Sequence, residues 1–144
     1  MNRETVRLLR AAAIAVATLL GCDRNSSNEP RSAHVWEVMT DSALHHTSIE
    51  TESSGATQCS EEQFRRVLKS LTPLHSSELI TKDRDYSIIL RYQAGMDPAE
   101  LYVATDESLP VFWCRGDKFR YRGGTQDAFR KAVDAVVATQ SAVK

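Results

Sequence analysis

The sequence predicts an α+β domain, an antiparallel sheet of about four to six strands with two helices packed on one face. Three observations predict it. Segments starting at Ser60 and Thr125 repeat apolar residues at helical spacing behind a capping side chain. The segments between them alternate apolar and polar residues and are joined by short turns. The order, two strands, a helix, a run of strands and a last helix, lacks the strand–helix–strand alternation of a parallel sheet.

Ala33–Thr40 (AHVWEVMT) and Ala43–Glu50 (ALHHTSIE) are rich in β-formers and flank Asp41-Ser42, which predicts a hairpin with imperfect alternation. Thr51 to Thr57 reads as a loop around Gly55. In the first helix, Ser60 and Gln63 have the spacing of a capping box, and Glu61 and Glu62 lie in the first turn, where the helix dipole favours acids. Phe64, Val67, Leu68 and Leu71 form its apolar stripe, and Pro73 ends it. His75, Ser76 and Ser77 read as loop residues.

Asp85–Gln93 predicts a strand with Tyr86, Ile88, Leu90 and Tyr92 on one side and Ser87, Ile89, Arg91 and Gln93 on the other. Glu100–Thr105 predicts the next, after a turn through Gly95 and Pro98. Val111–Arg115 and Lys118–Arg122 flank Gly116-Asp117, which predicts a two-residue type II′ turn pairing Phe112 with Tyr121 and Trp113 with Arg120. That register gathers Phe112, Cys114, Phe119 and Tyr121 on one face and Trp113, Arg115, Lys118, Arg120 and Arg122 on the other. Gly123-Gly124 breaks the strand. Thr125 then caps a helix whose buried stripe is Phe129, Ala132, Val133, Val136 and Val137.

The amino-terminal segment reads differently. Arg3, Arg7 and Arg10 make a basic start, Ala11–Leu20 is apolar, and Leu19-Leu20-Gly21-Cys22 closes the run. A ten-residue stretch makes a helix of roughly 15 Å, half of a ~30 Å hydrocarbon core, too short to span it. The four closing residues resemble the lipobox of bacterial lipoproteins. The resemblance implies a signal peptide over 1–21, a diacylglyceryl thioether on Cys22, cleavage after Gly21 and acylation, with palmitate among the chains, of the new amino terminus. It implies a periplasmic, membrane-anchored location, and Asp23 resembles the signal that retains such proteins at the inner membrane. Several acyl chains at ~0.8 kcal/mol per buried methylene hold a protein on a membrane where one would not. Residues 22–32, polar and with Pro30, then read as the lipidated cysteine and a tether, with a random-coil reach of about 17 Å. Residues 33–144 form one domain. From Ser60 onward the chain resembles the helix–meander–helix modules of bacterial lipoproteins.

Composition excludes several functions. Losing residues 1–21 leaves 15 basic and 18 acidic residues, a formal charge of −3, and no basic patch for nucleic acid. Cys59 and Cys114 remain as an even pair in an oxidising compartment, which favours a disulfide between them. His45 and His46 point to opposite faces of a strand, and His34 and His75 lack ligand spacing, so no metal is expected. His75, Ser76 and Ser77 near Asp83 and Asp85 lack the supported turn of a nucleophile, and no glycine loop for phosphate occurs. Arg115-Gly116-Asp117 matches an adhesion tripeptide, but the turn alone accounts for its Gly and Asp.

The open sheet face is the remaining candidate. There Trp113, Arg120, Arg91 and Tyr102, with Ile89, bring aromatic rings beside arginines, a combination that can hold a protein or glycan partner by stacking and cation–π contacts. The expectation is a non-enzymatic envelope lipoprotein that needs no cofactor and binds such a partner. The alternative is an inhibitor of an envelope-directed enzyme such as lysozyme.

Overall fold

The computed structural model describes residues 42–143, apart from the side chain of Asp97. The expected signal peptide, Cys22, the tether, His34 and the strand Ala33–Thr40 lie outside the described residues.

The chain forms β1 (Leu44–Thr51), β2 (Gly55–Gln58), α1 (Glu61–Lys69), β3 (Leu74–Leu79), β4 (Ile88–Ala94), β5 (Asp97–Ala104), β6 (Val111–Cys114), β7 (Phe119–Gly123) and α2 (Gln126–Ser141). The α+β class and antiparallel pairing are as the sequence predicts, but the described residues form a sheet of seven strands, in the order β2-β1-β4-β5-β6-β7-β3. The two extra strands are its edges, β2 and β3, which the sequence presents as loops. An edge strand has one partner and little to bury, so it carries no apolar alternation to read. β3 is exposed along nearly its whole length. β2 is started by a turn in which Thr51 Oγ1 accepts from the Ser54 N–H at 3.1 Å.

Both helices lie on one face. The capping box of α1 is formed, with Gln63 N–H donating to Ser60 Oγ at 3.2 Å and Ser60 N–H to Gln63 Oε1 at 3.0 Å. Thr125 caps α2 through the Ala128 N–H. Phe64, Val67, Leu68 and Leu71, followed by Phe129, Val133 and Val136, pack onto Ile49, Leu90, Tyr92, Leu101, Val103, Phe112 and Cys114 of the sheet. The irregularity of β1 is a bulge: His46 has φ 52°, and the register against β4 shifts between His45 and Ser48. The extra residue lets Leu44 and Ile49, five apart, both face the core.

The β6–β7 register is as predicted, with Phe112 opposite Tyr121 and Val111 opposite Arg122. The turn sits one residue earlier than expected. Asp117 N–H donates to the Cys114 carbonyl at 3.0 Å, which puts Gly116, at φ 85°, in the third position of a type II turn, where positive φ is required. Gly123-Gly124 does more than end a strand. A Cβ on Gly124 would lie 1.9 Å from the Ser70 carbonyl oxygen, so the absence of a side chain lets the end of α1 close onto β7.

The expected Cys59–Cys114 disulfide is not present in the structure. The sheet order explains it. Cys59 follows β2 and bonds Thr47 of β1, while Cys114 ends β6. Four inter-strand steps separate β2 from β6, about 19 Å along the sheet at ~4.8 Å each, against the ~7 Å Cα limit of a bridge. The two thiols touch the same core from its opposite sides.

Candidate functional site

The face opposite the helices is organised by a chain crossing that the sequence does not announce. β3 ends at the sheet edge beside β7, whereas β4 lies between β1 and β5. Residues 80–87 must therefore cross β7, β6 and β5, and the helices already occupy the core side. The crossing leaves the β3–β7 ladder after Ile80, whose N–H donates to the Lys118 carbonyl at 2.8 Å, and is then pinned at two points. Arg84 pairs with Asp106 at 2.8 Å and Glu107 at 2.7 Å. The Tyr86 ring stacks on Tyr102 at a centroid distance of 4.5 Å and an interplanar angle of 23°. Ile89, Ala104 and Val111 are buried on this outer side and form no part of the main core. The strap thus closes a second, smaller apolar layer.

Among the described residues, part of the face is left uncovered beside the strap. The register places Glu50 opposite Ile89, Ile89 opposite Tyr102, and Tyr102 opposite Trp113. One step along the strands, Ser48, Arg91 and Glu100 stand in line. Tyr102 and Trp113 are ring neighbours at 6.0 Å and 50°, both half-buried, and Tyr86 stands above them 47% exposed. A ladder of charges borders the rings. Arg91 pairs with Glu50, and its Nε donates to Glu100 at 3.0 Å. The Tyr102 hydroxyl donates to Glu100 at 2.9 Å, and Arg115 reaches the same carboxylate at 3.4 Å.

These contacts set the protonation states. The Arg91 hydrogen bond, followed by that of Tyr102, holds the Glu100 carboxyl below the usual glutamate range, against some desolvation. Glu50 and then Glu100 push the Arg91 guanidinium further up. Burial, then the bond to Glu100, raises the Tyr102 phenol. Among the described residues, no group of three His, Cys, Asp or Glu could hold a metal ion, and no helix is long and apolar enough to cross a membrane.

Of the residues the sequence singles out, Arg91, Tyr102 and Trp113 converge, with Ile89 buried beneath them. Arg120, opposite Trp113 in the register that pairs Phe112 with Tyr121, shares their face but has its guanidinium tied to the neighbouring strand. Its side chain is 15% exposed and its Nε donates to Glu78 at 2.5 Å, within a second network in which Glu78, Arg122, Glu107 and Arg84 continue under the strap. Arg120 thus secures β3 to β7. Arg84 and Arg122 in turn hold the Glu107 carboxyl low. Sequence reasoning misses Tyr86, assigned there to the core side of a strand beginning at Asp85. The strand begins at Ile88, so its alternation does not reach Tyr86, and the strap turns that ring outward. The carboxylates Glu50 and Glu100 are missed as well. Their cross-strand positions opposite arginine-bearing β4 become legible once the strands are aligned.

No family model matches the chain, and neither a curated protein nor a solved structure matches it.

Proposed function

We propose that the chain is a lipid-anchored envelope lipoprotein whose domain is a non-enzymatic binding module for a protein or glycan partner. Anchorage rests on the basic start, the short apolar run and Leu19-Leu20-Gly21-Cys22. Binding rests on one observation: three aromatic rings, Tyr86, Tyr102 and Trp113, stand together at the open part of a sheet face beside a neutralised arginine–carboxylate ladder. Such rings offer large, stiff contact area with polar edges, the type of residue that carries interface energy. Because Glu50 and Glu100 already hold Arg91, a partner gains little from a net negative charge. Recognition through stacking and hydrogen bonds to neutral polar groups suits this face better than charge attraction.

The test pairs two variants in the full-length protein. Tyr86→Ala with Trp113→Ala should abolish co-isolation of the partner from crosslinked membranes while the protein stays folded. Arg120→Ala, which removes the ion pair with Glu78 and leaves all three rings in place, should lower thermal stability yet retain capture. Capture unchanged in the aromatic variant would refute the assignment.

A further inference from the structure

The same end of the sheet collects most of the exposed large apolar side chains, and it is the end at which the chain enters the domain. β1 starts there, at Leu44, opposite Ala94 of β4. The Gly95-Met96 turn between β4 and β5 lies there, as do the 115–118 tip between β6 and β7 and the end of β3, where Leu79 is opposite Phe119. The carboxyl-terminal end of α2 arrives there too, with Gln140 Nε2 donating to the Gln58 carbonyl at 2.6 Å. Met96 is 90%, Val143 84%, Leu79 55% and Phe119 37% exposed. Only Leu74 and Tyr86, of the six exposed large apolar residues among those described, lie elsewhere. The others are spread along this end from the β3 edge to the β2 edge, a row of exposed apolar groups that a broad surface can meet together.

We infer that this end rests on the phospholipid surface, with Met96 and Phe119 entering the headgroup boundary and the 115–118 tip meeting lipid phosphates. The inference rests on the reading of Cys22 as the lipidated residue. Ser42, held by Arg65 of α1, is the first described residue, and 19 residues separate it from Cys22. Whatever their conformation, 20 residue steps cannot span more than about 70 Å. The lipid therefore holds the whole domain within reach of the bilayer, and this is the end at which the chain enters it. At that effective concentration a weak surface contact becomes populated without being an anchor itself.

The charges fit. Arg115 and Lys118 are exposed on the tip, where the Arg115 guanidinium also reaches Glu100 at 3.4 Å, and Asp97 follows Met96 in the chain. Asp117 is half-buried between Arg115 and Lys118, and Glu61 and Glu62 of the nearby helix start are occupied by Arg65 and Arg66. Apolar side chains flanked by accessible cations are the composition of an interfacial contact with anionic headgroups. In this pose the aromatic face stands beside the membrane, open to the periplasmic space.

The experiment uses the processed, full-length protein in vesicles of phosphatidylethanolamine and phosphatidylglycerol. A photoreactive p-benzoylphenylalanine is placed at position 96, 119 or 86, and adducts are identified by mass spectrometry, with the acyl mass on Cys22 read from the same samples. The first and last positions are largely solvent-facing, so the reporter does not enter the core. Phospholipid adducts should be severalfold more abundant from 96 and 119 than from 86. Equal lipid yields from all three positions, with Cys22 acylated, would overturn the docking pose and leave the anchor reading intact. Protein–protein adducts from 96 and 119 in place of lipid adducts would overturn it in favour of a second copy. A Cys22 peptide without acyl mass would remove the anchor and this inference with it.

Discussion

Gly124→Ala should be among the most destabilising single-methyl additions available to this domain. Two separate effects work against it. The residue has φ 68°, and the left-handed region costs an L-residue on the order of 1–2 kcal/mol. The added Cβ would also lie 1.9 Å from the Ser70 oxygen, 2.9 Å from the Ser70 carbonyl carbon and 3.0 Å from the Leu71 Cα, all backbone atoms that no rotamer change can move. Pushing the end of α1 away from β7 is an overpacking strain of about 1–3 kcal/mol. The combined loss, about 2–5 kcal/mol, is a large share of a stability of roughly 5–15 kcal/mol. Gly55→Ala supplies the control, since Gly55 has φ 65° but a Cβ there meets nothing within 4 Å. It should show the conformational cost alone. Urea unfolding followed by circular dichroism measures both. Equal losses for the two variants, within about 0.5 kcal/mol, would refute the claim that the Gly123-Gly124 corner is a close contact with α1.

Other outcomes follow from the same structure. Val133→Asp buries a carboxylate among Phe129 and Val136 and should cost several kcal/mol, whereas Lys131→Asp, exposed and paired only with Asp127, should shift the melting temperature little. Glu100, Glu107 and Asp106 are held below their ordinary values by arginines, so the stability they contribute is complete above the unfolded carboxylate range near ~4.3 and drains away as pH falls through the lower folded values. An acid titration of unfolding free energy should show that loss and a shallower one in Glu100→Gln; identical slopes would contradict it. Alkylation after denaturation without reductant should modify both Cys59 and Cys114, and a peptide linking the two would contradict the strand order. In the native protein Cys59 should react slowly, because burial pushes its thiol up.

What could be read from the sequence is what local physics alone decides. The capping box, the stripes of α1 and α2 and the Phe112–Tyr121 register are set by neighbours a few residues apart, and each is present as predicted. The edge strands were hidden because β3 pairs on one side only and buries almost nothing. The strap was hidden because residues 80–87 have no periodicity, and their path depends on β4 pairing with β1 and leaving β3 at the far edge. That one topological fact brings Tyr86 to the candidate site, gives Arg120 Glu78 of β3 as its partner and parts Cys59 from Cys114. Arg91, Tyr102 and Trp113 were legible together because simple alternation puts all three on one face, whatever the strand order.

The central claim, that the open outer face holds the partner, is tested most directly in intact cells producing the full chain. A photoreactive residue at position 113 is compared with one at position 131, on the exposed side of α2. The account predicts a discrete adduct, protein or glycan, from 113 that is absent from 131 and lost when Tyr86→Ala is added. The same adducts from both positions, or an adduct from 113 indifferent to Tyr86, would contradict it.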